Sequence, residues 1–489
     1  MTSNSVLNSI KNLWTRVGLE ETPNLVLKGN PDSVVPSSFK VGHLAQASVA
    51  LSGLAASLIH GDRNGGNAPT VEIDARHAIL TFVGEPYYLI DGRLPKDVWD
   101  DLAGLYRTKD GHVRIHTNFP QSSSHRAGIL NILQCAPTRS AVAEQLRFRN
   151  SLEFEDEATA AGMCVAALRS FAEWDKHPQS HALRGNPPIQ LVKIADSPPR
   201  ALSGSLRPLE GINVLELTRV LAGPAAGRTL ADLGADVLWV TSPKLPSLPV
   251  VDIDTSRGKR ATQLDLTRPE DADKLRDLAS GADVFLQSYR PNSLGHRGFS
   301  PEELARLRPG IIVANLRGYG WEGPWQEKRA FDSLVQAATG LNLAEGQARA
   351  KSRNDDPSPK NIEALPVQCL DHGAGQLLAF GIIAALYRSM KEGGSWEVRV
   401  SLAGVGEWLR QLGQLDPMEA FKGNALPPRS SPVDEELRPL MQEWNIRGMN
   451  SFRGPMTLKA LSSPISLEGI SVGSSEVPGT LSSDSPTWI

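Results

Sequence analysis

Residues 211–241, GINVLELTRVLAGPAAGRTLADLGADVLWVT, set two short apolar runs on either side of a segment of small residues. The runs at 212–218 and 236–241 predict strands. Residues 224–234 predict a helix, because Pro224 suits a first turn and the apolar positions recur at helical spacing. Outward from this unit the alternation continues. Strands are expected at 261–266, 283–287 and 311–315, a helix at about 269–280, and a long apolar helix at 371–390. The turn 392–395 then leads into a strand at 397–401. Short apolar strands separated by helices indicate a parallel sheet of βαβ units, so the fold class is α/β and Rossmann-like. Ligands of such sheets bind beyond the carboxyl ends of the strands.

The chain contains a partial internal duplication. LSGLAASLIHGDRNGG at 51–66 aligns with AFGIIAALYRSMKEGG at 379–394, shifted by 328 positions. Gly53, Leu58, Gly65 and Gly66 fall on Gly381, Leu386, Gly393 and Gly394, and the apolar run 70–74 stands for the strand 397–401. This organisation predicts an N-terminal extension (1–35), a truncated repeat (36–95), and a smaller α/β segment (96–200) with a strand at 112–116 and a helix at 139–149. A linker (201–210), the large domain (211–421) and a Pro/Ser/Gly-rich tail (422–489) follow. The tail is expected to be surface-hugging or partly disordered, with one helix near 434–444.

Composition narrows the function classes. A formal net charge of −3 gives no general attraction to nucleic acid or to a membrane surface. Three cysteines, Cys135, Cys164 and Cys369, with no CxxC pair and no nearby histidine cluster, predict neither a disulfide framework nor a metal site. The N-terminus lacks the apolar core of a secretory signal, and no run is read as approaching the ~20 apolar residues of a membrane span. The cytoplasm is the expected compartment.

Four features carry chemistry. The loop 221–227, LAGPAAG, with Ala222 at its start, lets a ligand approach a helix N-terminus; tight helix-on-sheet packing would use the same residues. Arg257-Gly258-Lys259-Arg260 suits phosphate contacts, or a solvated basic turn. Arg290 and Arg317 each follow a strand and so belong to the ligand edge of the sheet. Asp371 lies at the start of the long helix, where it either caps the helix or serves as a carboxylate nucleophile. At the repeat offset its position is taken by His43, so each chain has one candidate site.

In this order, VLELTRVLAGPAAGRTLADLGADV, TSRGKRATQLDL, DVFLQSYRPNSLGHRGF, VANLRGYGWEGP, FDSLVQAATGL and LDHGAGQLLAFGIIAAL resemble class III CoA transferases, the carnitine-dehydratase-like family that includes formyl-CoA transferases. The resemblance covers about 200 residues. It implies CoA transfer from an acyl-CoA donor to a small carboxylic acid through covalent aspartyl intermediates on Asp371. It places CoA contacts near Val220, Lys259, Arg290 and Arg317; Ala222 and Arg257, from the small-residue loop and the basic turn, complete the expected CoA-binding set. Gly373 and Gly375 are expected to offer backbone N–H groups to oxyanions. No metal is implied. Where related racemases carry Gly-His-Asp this chain has Ala330-Phe331-Asp332, which disfavours racemisation. The segments around 91–93, 112–120 and 174–179 resemble the family's small domain and the chain that follows it, yet precede the sheet domain. A fusion of two incomplete copies into an intramolecular pseudo-dimer, or a homodimer, is expected. An acyl-CoA racemase or isomerase on the same scaffold, and a degenerate CoA-ester-binding protein, are the alternatives.

Overall fold

The computed structural model describes residues 2–83, 87–96, 99–118, 124–451 and 454–489. From the N-terminal end, α1 (Thr2–Arg16) precedes β1 (Leu25–Lys28), α2 (Val41–Arg63) and β2 (Val71–Asp74). Next come β3 (Leu89–Ile90), β4 (Gly104–Arg107), β5 (His112–Ile115), β6 (Val165–Ala167) and β7 (Ile189–Ala195). The sheet domain runs β8 (Asn213–Leu217), α3 (Ala222–Asp232), β9 (Asp236–Thr241), β10 (Arg260–Gln263), α4 (Pro269–Ser280), β11 (Val284–Gln287) and β12 (Ile312–Arg317). It continues through α5 (Asp332–Ala338), α6 (Cys369–Glu392) and β13 (Ser395–Ser401). The tail holds β14 (Met441–Ser451), β15 (Gly454–Leu461), β16 (Ser466–Leu467) and β17 (Glu476–Pro478).

The large sheet has the order β10-β9-β8-β11-β12-β13-β7. Its first six strands pair in parallel, as the βαβ alternation predicts, and β7 closes the edge antiparallel to β13. The segment 96–200 is therefore not wholly separate, because its last strand belongs to the large sheet. Its remainder builds the small sheet β4-β5-β6, whose core includes Val113, Ile115 and Val165. Residues 119 and 120 of the family-like stretch 112–120 lie outside the described residues.

Two helices are long and apolar enough to cross a membrane by length and composition, contrary to the sequence expectation: α2 and α6. Both are buried and pack against each other, with Ser52 Oγ donating to the Gln376 carbonyl at 2.9 Å. They start at positions equivalent under the 328-residue shift, Val41 and Cys369. The preceding residues, Lys40 and Gln368, have nearly the same backbone angles (φ −77°, ψ 54° and φ −79°, ψ 62°). In both halves the following strand ends on a capping side chain: Asp74 accepts from His77 N and Ser401 from Gly404 N. β1 pairs in parallel with β2, so residues 25–28 are a strand of a small sheet rather than part of a free extension.

The tail departs from expectation. Residues 441–451 form a strand, not a helix, and the sheet β17-β14-β15-β3 is built mainly from the tail. Trp444 and Ile446 alternate into its core with Leu458 and Val477, a period of two that overrides the helical propensity of Met441-Gln-Glu-Trp444. β16 pairs with β2, and Trp488 donates its indole N–H to the Leu278 carbonyl at 3.0 Å. Trp444→Ala is expected to lower the unfolding free energy by about 3–5 kcal/mol in urea titrations. An unchanged midpoint would show that the tail lies outside the cooperative unit.

Candidate functional site

The long helix α6 starts without a side-chain cap from its own N-terminal neighbour, Gln368. Its first N–H groups are satisfied from another element. Asp332, in the first turn of α5, accepts from Leu370 N at 2.8 Å and Asp371 N at 3.0 Å. Gln336 donates to the other Asp332 oxygen, and Asn342 Nδ2 in turn donates to Gln336 Oε1 at 2.8 Å. Burial pushes the Asp332 carboxyl up to about 6, with the two backbone N–H groups opposing the rise. The capping role left open for Asp371 thus belongs to Asp332.

Asp371 is 8 % exposed and borders a cavity of about 390 Å³. The large domain contributes Val220, Leu221 and Asp332 to its wall, while the preceding segment contributes Arg114 and His116. His116 stacks on Phe331 with ring centroids 3.7 Å apart, and burial drives its imidazole down to about 3, so the ring is neutral. Val220 has φ +73°, a left-handed conformation that a β-branched residue adopts only when its surroundings impose it. It also borders a narrower cleft with Arg219, Trp239, Asp252 and Tyr289, which places it between the two openings.

The other expected CoA contacts are distributed differently. Ala222 is buried in the first turn of α3. Lys259 is wholly internal: its ammonium pairs with Glu216 at 2.8 Å and donates to the Pro224 carbonyl at 2.9 Å. Burial pushes Glu216 up and Lys259 down, each opposed by the other's charge. A Cβ at Gly227 would lie 1.8 Å from Glu216 Oε2, so the glycine of the 221–227 loop makes room for this ion pair rather than for a ligand. Arg257 pairs with Asp254 at 3.0 Å and donates to the Leu461 carbonyl, with its guanidinium 4.5 Å from the Trp444 ring. Arg260 pairs with Asp236. The basic turn 257–260 is thus neutralised internally and covered by the tail, and the expected phosphate-facing role of Arg257 and Lys259 is not met.

Arg290 is exposed beyond β11. Arg317 lies 4.9 Å from the Trp321 ring, and neither arginine lines the Asp371 cavity. Gly373 and Gly375 sit inside α6, where a Cβ would meet Leu44 at 2.7 Å and the Ala222 carbonyl at 2.6 Å. They permit close helix packing, and their N–H groups lie beyond the first turn, within the helical hydrogen-bond ladder, so the oxyanion role is not supported. Sequence reasoning missed Arg114 and His116. Their signal was the alternation in His112-Val-Arg-Ile-His116, which puts both on one face of a strand.

Residues 209–434 match the family model described as CoA-transferase family III. This stretch, just under half of the chain, is similar to CoA-transferase family III. An acetyl-coenzyme A transferase of Hypoxylon pulicicidum is 29% identical over 339 residues, 64% of this chain and 55% of that protein. A probable fatty acyl-CoA transferase of Mycobacterium tuberculosis is 30% identical, covering 42% of this chain and 54% of its own. The human succinyl-CoA:glutarate CoA-transferase is 31% identical, covering 40% and 45%. The chain spans about half the length of these curated relatives.

At the position equivalent to Asp371, His43 is buried beneath α1, with its ring nitrogens 3.3 Å from Ser5 Oγ and 2.9 Å from Ser9 Oγ. Burial lowers His43 to about 4. The unfolded chain therefore binds a proton that the folded chain refuses, and stability falls as pH drops from about 6.5 toward 4. Burial acts on Asp332 with the opposite sign. In urea titrations at pH 7 and 4.5, His43→Asn is expected to remove about 2 kcal/mol of the acid-induced loss. An identical loss in both proteins would refute a neutral His43. Lys259→Met leaves Glu216 buried without its cation and is expected to cost about 3–5 kcal/mol, with Glu216→Leu added to it recovering most of that. Equal stability of Lys259→Met and the parent protein would contradict the buried pair.

Proposed function

We propose that the protein moves coenzyme A from an acyl-CoA donor to a free carboxylic acid, with Asp371 as the nucleophile. The observation that carries this reading is the division of labour at the start of α6. Asp332 caps the helix, and Asp371 borders the mostly apolar cavity within the stretch similar to CoA-transferase family III. An Asp371 oxygen attacks the donor thioester carbonyl, the C–S bond breaks, and an acyl anhydride and CoA thiolate form. The thiolate then attacks the Asp371 carbonyl, giving an aspartyl–CoA thioester and releasing the donor acid. The acceptor carboxylate displaces the thiolate to make a second anhydride. Attack of the thiolate on the acceptor's carbonyl forms the new acyl-CoA and returns Asp371 as a carboxylate. Val220, between the cavity and the neighbouring cleft, is where the thiol arm of CoA would pass.

His116 supports a second reading. The histidine missing from the Ala330-Phe331-Asp332 segment has a counterpart in the same cavity, stacked on Phe331. Its neutral ring is a candidate base for an acyl α-proton, as in an isomerase or racemase, but burial weakens it as a base. Solvent deuterium appearing at the α-carbon without CoA exchange would select it.

Incubation with a panel of acyl-CoAs and hydroxylamine is expected to trap an acyl group or a hydroxamate at Asp371. Asp371→Ala is expected to lose both trapping and CoA exchange, on the order of 10³-fold or more. Donor turnover unaffected by that substitution would overturn the transferase reading.

A further inference from the structure

We infer that Arg114 recognises a carboxylate of the free acid, and so sets the substrate class at the acceptor step; this rests on the proposed transfer. Alternation along β5 sends Val113 and Ile115 into the small core, both fully buried, and turns Arg114 and the following His116 to the other face. That face is part of the wall of the Asp371 cavity.

Nearby arginines have partners of their own. Arg126 pairs with Asp100 and Asp101, Arg139 donates to the carbonyls of Asp101 and Ala103, and Arg169 pairs with Glu155. Arg219 donates to the Pro246 carbonyl and Arg329 to the Gly162 carbonyl. Arg114 is different. Among the described residues none accepts a hydrogen bond from its guanidinium or forms an ion pair with it, and its Nε is buried without a partner. Asp332 is near enough to favour its charge but not to pair with it, and Arg139 opposes that charge. The buried Nδ1 of His116, two residues on, also lacks a partner.

A half-buried guanidinium with no acceptor is unfavourable alone and becomes favourable when an anion arrives. Its planar fork fits a carboxylate through two parallel N–H···O bonds. The rest of the wall includes Phe82, Leu105, Phe331, Leu365 and Val367, which suits an acid with an apolar body. A thioester has no anion at its reacting carbon, so Arg114 distinguishes the free acid from acyl-CoA. It would act when the acceptor acid enters, after the donor half of the reaction is complete. Arg114 is thus a specificity-determining residue of the acid half of the reaction.

The test separates the two halves with Arg114→Met and Arg114→Lys. Arg114→Met is expected to raise the KM for the acceptor acid by about 10- to 100-fold while donor-dependent hydroxylamine trapping at Asp371 stays within about twofold of the parent. Arg114→Lys keeps the charge but loses the two-pronged contact, and is expected to raise the same KM by about 5- to 10-fold. It carries the test should Arg114→Met fail to fold. An acid KM unchanged in the folded variants overturns the inference and leaves the transferase reading standing. Trapping that falls in step with overall transfer also overturns it, by showing that Arg114 supports Asp371 instead. A parent protein that neither traps an acyl group nor exchanges CoA overturns the transferase reading itself.

Discussion

Everything at the site depends on the capture of two backbone N–H groups by one buried carboxylate. The Asp332 oxygen that accepts from Leu370 and Asp371 fixes where α6 begins and how its first turn is rotated. Without an outside acceptor the helix would have to supply its own cap, and the residue best suited to that is Asp371 itself. Asp332 is fixed in its turn by Gln336, which Asn342 and the Leu365 N–H hold in place. A chain of neutral amides therefore tethers the capping carboxylate, and the next acid along the helix can face the cavity. The same helix packs against α2 on one side and α3 on the other, so a shift of its start would disturb the Ser52 and Thr229 contacts as well.

Much of the fold was legible because it rests on local periodicity. The strands of the large sheet and the helix at 269–280 follow from alternating apolar runs and Pro-led helix starts. Met441-Gln-Glu-Trp444 has fair helical propensity, but pairing with the adjacent β15 (Trp444 opposite Leu458) and packing on Tyr88 make it a strand. The basic turn 257–260 was misread for a related reason. Sequence shows three cations close together but not Glu216, Asp236 and Asp254, which lie up to 43 residues away and neutralise them. Asp371 is legible as an acid at the start of a long apolar helix, whereas the alternation in 112–116 shows that Arg114 and His116 share a face but not that the face borders the Asp371 cavity.

The internal ion pairs also explain a packing constraint in the small-residue loop. Glu216 and Lys259 form a buried pair at 2.8 Å beside α3, where a Cβ at 227 would lie 1.8 Å from the carboxylate. The two glycines thus have separate packing causes: Gly227 on α3 makes room for an internal ion pair, and Gly375 on α6 allows the close approach of α3. Neither requires a ligand.

The antiparallel pairings that bring the tail back to the first hundred residues have a consequence for how the chain reaches this structure. β2 completes its sheet only with Ser466–Leu467, and β3 only with Leu458 and Lys459. These are among the longest sequence separations a chain of this size can have, and loop closure of that span is slow and entropically costly. The first hundred residues therefore emerge during synthesis with strand edges that wait for the last portion of the chain. In that interval the large apolar helix α2 and the open edge of β2 are the surfaces most in need of a chaperone.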